Sequence, residues 1–276
     1  MNKMMIQTAK DAQGHADFKD ALVSLLFQLA DDNFIVGYRG SEWLGLAPHL
    51  EADVAFCSIA QDHTGHAALF YQLLEDLGQG KADDLAHLRE AQAFKNAILV
   101  ERPNGKGDYI VNPQYDWGYA VIRQYYFDLF EMVRLQALKQ SSYEPLAQAA
   151  EKLSREKYYH VLHGQTWLKQ MALTTDEAKQ RLHKALQQVW QDLDELFDMG
   201  PLGEDLTKYG IIESRDLIRQ RFISKAKEDL ASVNMNWPGE PSRPKEKGRE
   251  GEHTSDLDTA LENISEVYRQ DPAANW

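Results

Sequence analysis

Cysteine is nearly missing from this chain: Cys57 is the single one among 276 residues. No intrachain disulfide can form and no cysteine-based metal cluster can be built, so a reducing, cytoplasmic location is expected. Long hydrophobic runs are missing too, and no stretch approaches the roughly 20 apolar residues that a membrane-spanning helix needs. The segment Met1-Asn2-Lys3-Met4-Met5-Ile6-Gln7 has neither the hydrophobic region nor the cleavage site of a signal peptide. Positive charge is scarce. Thirty Lys and Arg face 43 Asp and Glu, which leaves a net charge of −13 and an isoelectric point near 5.1. Such a surface repels phosphate backbones, so neither nucleic acid nor an anionic membrane is expected as a partner. There is no Gly-rich phosphate loop, and no Ser–His–Asp arrangement can be recognised from spacing.

What the chain does have is helical periodicity. Residues 18 to 46 form one long amphipathic stretch with Leu22, Leu25, Leu26, Leu29, Ile35 and Val36 on its apolar side. Gly37 and Gly40 lie inside it, at a helix-propensity cost of about 1 kcal/mol each, so another helix should approach closely there. Further helices are predicted over 51 to 77, 83 to 100, 117 to 139, 144 to 171 and 174 to 197. The last opens on the capping sequence Thr174-Thr175-Asp176-Glu177. A seventh is expected over 214 to 233. From 237 to 252 the prolines and glycines rule out a helix, and the segment reads as a linker or extended arm. Helical period returns in the tail through Leu257, Leu261, Ile264 and Val267.

The pattern predicts an all-α protein. Residues 1–16 form an N-terminal extension, residues 17–236 a ferritin-like four-helix bundle core with additional helices, and residues 237–276 a C-terminal arm with a tail helix. The core would be two antiparallel hairpins, made from the first two long helices and from the fourth and fifth.

Ferritin-like di-iron proteins take one carboxylate from each of two helices and a Glu-x-x-His from each of the others. That signature is absent. One acidic residue falls at a plausible place on each core helix: Asp31, Asp62, Asp128 and Glu156. Three residues after Asp62 stands Gly65, and three after Glu156 stands Tyr159, neither of which replaces an imidazole. His66 and His160 follow Asp62 and Glu156 by four residues, which also keeps both groups on one helix face. Two readings follow. In one, Asp62, His66, Glu156 and His160 ligate a metal in an active oxidoreductase. In the other, the interior is a polar network at a vestigial site. There Asp62 and Glu156 would face each other with Asp31 and Asp128 nearby, and Arg123, Arg155, His66 and His160 would serve as partners.

Several segments resemble one family. They are Ser41-Glu42-Trp43-Leu44-Gly45-Leu46-Ala47-Pro48, Val100-Glu101-Arg102-Pro103-Asn104-Gly105, Arg123-Gln124-Tyr125, Glu156-Lys157-Tyr158-Tyr159-His160, Glu195-Leu196-Phe197-Asp198 and Gly248-Arg249-Glu250-Gly251-Glu252-His253-Thr254. In this order and spacing they resemble the structural C subunits of bacterial multicomponent phenylacetyl-CoA monooxygenases, also called epoxidases. The resemblance implies a ferritin-like chain of phenylacetate degradation that has lost its di-iron ligands and carries no cofactor of its own. It also implies a catalytic A subunit that holds the di-iron centre and binds phenylacetyl-CoA, with self-association of the chain expected as well. The run Gln61-Asp62-His63-Thr64-Gly65-His66 departs from the family by being richer in histidine. Lys247, Arg249, His253 and Trp276 are the expected partner-binding residues of the arm.

Overall fold

The computed structural model describes residues 5–107 and 109–274; Trp276, expected at a partner surface, lies outside them. In chain order the helices are α1 (Ala9–Gln13), α2 (Ala16–Ser41), α3 (Leu50–Asp76), α4 (Ala82–His87), α5 (Ile98–Glu101), α6 (Trp117–Leu138), α7 (Glu144–Leu173), α8 (Asp176–Asp192), α9 (Gly203–Lys208), α10 (Arg215–Ser232) and α11 (Ser255–Gln270). Short 3-10 turns lie at Ala91–Ala93, Leu193–Phe197 and Gly248–Glu250, and a two-residue hairpin pairs Gly105–Lys106 with Gln114–Tyr115. The architecture is all-α and ferritin-like. Helix α2 packs along α3, α6 packs along α7, and the two hairpins meet through α2 with α6 and α3 with α7.

Local chemistry sets the helix ends. The Asp116 carboxylate caps α6 by accepting from the Tyr119 N–H, and the Thr175 hydroxyl caps α8 by accepting from Ala178 N–H. Pro145 sits in the first turn of α7, where its missing N–H costs nothing. At Gly37 and Gly40 the backbone of α3 does come close: a Cβ on Gly37 would lie 3.1 Å from Thr64 Oγ1 and 3.2 Å from the Ala60 carbonyl oxygen.

The stretch expected as one helix over 83 to 100 is broken into α4, a 3-10 turn and α5. The reason lies on α2 and on the turn at Leu193–Phe197. Asp31 accepts from the backbone N–H of Lys95 at 2.7 Å, and Asp32 accepts from that of Ala97 at 2.9 Å. Glu195 accepts from Ile98 N–H at 2.7 Å. Three buried carboxylates thus supply acceptors that intrahelical carbonyls would otherwise have supplied, and an extended backbone satisfies them.

The arm is part of the core. Arg249 is buried and grips Asp32 through two nitrogens, at 2.8 and 3.0 Å. His253 Nδ1 lies 2.7 Å from Glu101 Oε2, and the Thr254 backbone N–H and hydroxyl donate to Glu101 Oε1. Helix α11 then lies against α4, α5 and α2 of its own chain, burying Leu257, Ala260 and Leu261. This corrects the expectation that Arg249 and His253 reach a partner, because two carboxylates buried inside the bundle need their cation and donors. Lys247 stays exposed and pairs with Glu250.

Two stability outcomes follow. Arg249→Ala should cost about 3 kcal/mol, because Asp32 keeps only Arg134 as a buried cation. Arg249→Lys should recover only part of that, since one ammonium cannot reproduce the fork. Denaturant unfolding with an unchanged midpoint for Arg249→Ala would show that the arm is not anchored there. Gly164→Ala should cost about 1–3 kcal/mol, because its Cβ would fall 2.4 Å from Tyr125 Cδ2 where α7 crosses α6. The same unfolding curve measures it.

Candidate functional site

The apolar pattern of each core helix decides which residues point inward. On α3 the buried series is Ala52, Phe56, Ile59, Ala60, His63, His66, Ala67 and Phe70. On α7 it is Leu153, Lys157, His160, Val161, Gly164 and Leu168. The residues that meet at the bundle centre are therefore His63 and His66 from α3, Lys157 and His160 from α7, Asp128 and Gln124 from α6, and Asn33 from α2.

Lys157 is the centre of this group. Its ammonium lies 2.8 Å from Asp128 Oδ1, 3.2 and 3.3 Å from the two ring nitrogens of His63, and 3.5 Å from His160 Nδ1. Both members of the Lys157–Asp128 pair have fully buried side chains. Near-equal distances to both nitrogens place the ammonium against the His63 ring rather than on one lone pair. Asn33 fixes the tautomer of that ring. The amide nitrogen of Asn33 donates to Leu29 O and Glu131 Oε2, so its oxygen must accept, at 2.7 Å, from His63 Nδ1–H. His63 Nε2 is then the proton-free nitrogen, 2.7 Å from the Gln124 amide nitrogen that also donates to Asp128 Oδ2. His160 bridges outward, with Nδ1 3.3 Å from Asp128 Oδ1 and Nε2 2.9 Å from Asp62 Oδ2. His66 Nε2 lies 2.6 Å from Glu156 Oε2.

The electrostatics follow from this packing. Burial pushes the His63 imidazole down to about 3, and the Lys157 charge pushes the same way. The 3.1 Å His63–Asp128 contact is thus one of a neutral ring with a carboxylate. Burial, then Lys157, also lowers His66. Burial alone would raise the Asp128 carboxyl, but the Lys157 ammonium holds it well below the usual carboxylate range. The lattice continues toward α2, because Arg134 bonds Asp32 at 2.9 Å and Glu131 at 2.7 Å, and Glu131 bonds Asn33.

The residues singled out from sequence fall as follows. Asp128, His66 and His160 are buried at the centre. Asp62 and Glu156 sit at the rim of the α3–α7 seam with side chains 38% and 40% exposed, each paired with a histidine of the opposite helix rather than facing the other. Asp31 is buried elsewhere, held by Arg89, Tyr71 and the Lys95 backbone. Gly65 and Tyr159 face outward, Tyr159 being 69% exposed, so they are not interior ligand positions. Arg123 bonds Asn104 and the Arg102 carbonyl, and Arg155 is exposed. The inward pairs at i, i+3 spacing are His63/His66 and Lys157/His160, one residue on from the carboxylates.

A di-iron centre does not fit this interior. It requires several bridging carboxylates, whereas the central cluster holds one, Asp128, and a lysine ammonium lies against it. Among the described residues the one group of ligand atoms close enough to share an ion is His63, Asp128 and His160.

Stability should respond to acid in a defined way. His63 and His66 have folded-state pKa values below 6.5, so the unfolded chain binds their protons first. Their contribution is complete above pH 6.5 and falls as pH drops, by about 1.4 kcal/mol per pH unit for each histidine. Urea unfolding at stepped pH should show this decline between pH 6 and 4, before Asp128 loses its charge. A flat profile there would contradict neutral buried imidazoles.

The chain is 28% identical over 256 residues, 92% of its length and 99% of the relative's, to the C subunit of the 1,2-phenylacetyl-CoA epoxidase of Escherichia coli (strain K12). It is 22% identical over 226 residues, 80% of its length and 70% of the relative's, to the A subunit of the same epoxidase. The model of the family described as phenylacetic acid catabolic protein matches residues 1–276, and the chain belongs to that family.

Proposed function

We propose that this chain is the structural, non-catalytic subunit of a phenylacetyl-CoA ring epoxidase complex, in which it stabilises a separate di-iron subunit that binds the phenylacetyl-CoA. The observation that carries this reading is the Lys157 ammonium at the bundle centre, bonded to the Asp128 carboxylate at 2.8 Å. A cation tethered to the chain fills the electrostatic need that metal ions meet in a di-iron bundle, and it offers no open position for oxygen. The likeness to an epoxidase C subunit over nearly its full length supports the role, and the weaker likeness to the A subunit supports a partner built on the same bundle.

The oxidoreductase reading with Asp62, His66, Glu156 and His160 as ligands has less support. Asp62 and Glu156 are engaged in cross-helix pairs at the surface. No described helix is long and apolar enough to cross a membrane, and a cytoplasmic place beside a CoA thioester fits the rest of the proposal.

The partner face we assign is the outer side of α3 and α7, where Leu50, Val54, Tyr158, Tyr159, Leu162 and Leu173 are exposed. Its occupant is the A-type subunit, whose similar long helices offer ridges of matching pitch. Co-expression with a di-iron A subunit should yield a complex by gel filtration. The double variant Tyr159→Glu, Leu162→Glu should bind at least about tenfold more weakly with an unchanged melting temperature. The chain alone should oxidise no phenylacetyl-CoA and hold well under the roughly two irons per chain of an active bundle. Turnover by the isolated chain, or an unaffected complex, would overturn the respective half of the proposal.

A further inference from the structure

The three atoms that Lys157 touches are themselves a metal-ligand set. His63, Asp128 and His160 each offer one ligand atom, these atoms lie within 4.8 Å of one another, and all three side chains are buried. Two of the separations are 3.1 and 3.3 Å. Ligand atoms about 2.0–2.1 Å from one ion in a tetrahedral arrangement are roughly 3.3 Å apart, so these atoms already stand near ligand spacing.

The outer contacts match as well. A metal-ligating histidine ordinarily donates its other N–H to a carboxylate or carbonyl, which fixes the tautomer. His63 does this through Nδ1–H to the Asn33 oxygen, and His160 has its far nitrogen 2.9 Å from Asp62 Oδ2. Asn33 is held in turn by Leu29 O and Glu131. Nothing in a plain Lys–Asp ion pair requires two oriented imidazoles with outer acceptors. With the Nδ1–H committed to Asn33, His63 Nε2 is the proton-free nitrogen, the form a metal needs.

We propose that His63, Asp128 and His160 form a latent mononuclear site for a divalent transition metal, and that Lys157 keeps it metal-free by placing its ammonium against all three ligand atoms. The side chain acts as a competitive, intramolecular cation. Two imidazoles and one carboxylate favour ions such as cobalt(II), zinc(II) or iron(II) over magnesium or calcium. Shortening Lys157 vacates the volume of the ammonium and leaves Asp128 without its buried partner, so an ion with a bound water becomes the better cation. A glutamate at the same position adds a fourth ligand. The latent site depends on the geometry of the bundle centre alone and is independent of the assembly proposed above.

The test uses the full chain in wild-type form and as Lys157→Ala, Lys157→Glu and the double variant Lys157→Ala, His160→Ala. Each is refolded with and without cobalt(II), under reducing conditions. The readouts are bound cobalt after gel filtration, visible absorption of the ion, and the melting temperature. Lys157→Ala and Lys157→Glu should each retain about one cobalt per chain, show the absorption of low-coordinate cobalt(II), and melt higher with the metal than without. The wild type and the double variant should retain little. A single variant that folds only with cobalt supports the site equally. Overturning results are a folded Lys157→Ala and Lys157→Glu that take up no cobalt, either variant remaining unfolded with cobalt present, stoichiometric cobalt in the wild type, or undiminished cobalt in the double variant.

Discussion

A carboxylate buried at the centre of a four-helix bundle must have a cation within reach. Removing a carboxylate from water costs several kcal/mol unless a positive charge and hydrogen bonds compensate. Here Asp128 is that carboxylate and Lys157 that cation, from α6 and α7 respectively. The neighbours follow from this pair. His63 and His66 are held neutral first by burial and then by repulsion from the Lys157 charge. Gln124 and Asn33, with amides that donate and accept, fill the positions between the ring of His63 and the two nearest carboxylates, Asp128 and Glu131.

The polar lattice runs further than the centre. Bonds of 2.7–2.9 Å lead from Arg249 of the arm to Asp32, Arg134, Glu131, Asn33 and His63. From there Gln124, Asp128 and Lys157 carry it on, and His160, 3.3 Å from Asp128, joins it to Asp62 at the α3–α7 surface. The segment that reads as a loose linker is thus the end of a network that begins at the assigned partner face. A chain whose interior is set by hydrogen bonds rather than by a removable ion keeps one geometry whatever the metal supply, which suits a scaffold.

Much of the bundle is legible in the sequence because long amphipathic helices declare themselves. The ends of α3, α6, α7 and α10 lie within about two residues of where periodicity and caps put them, the usual scatter of helix boundaries, whereas the helix expected over 174 to 197 stops as α8 at Asp192 and goes on to Phe197 only as a 3-10 turn. The helix expected over 83 to 100 fails because its competitors are Asp31, Asp32 and Glu195, remote in sequence. Choosing the ligand face by its carboxylates puts it one residue early, at Asp62 and Glu156. The apolar series Phe56, Ile59, Ala60, Ala67, Phe70 on α3 and Leu153, Val161, Gly164, Leu168 on α7 includes positions 63 and 157 and leaves out 62 and 156. That signal is present in the sequence. For the middle of α2 there is none, since residues 28 to 37 are all buried and no face is set apart there. The docking of Arg249 and His253 is illegible for another reason: a charged residue in a Pro- and Gly-rich segment looks solvated until its buried acceptor is known.

Lys157 supplies the positive charge at the heart of this bundle. Crystals of the chain with the proposed A-type partner, grown from iron-replete protein, would test it by anomalous diffraction at the iron edge. Strong anomalous density is expected in the partner and none among His63, Asp128 and His160, where the side-chain density of Lys157 should reach Asp128. An anomalous peak at that position in this chain, with Lys157 turned away, would contradict it.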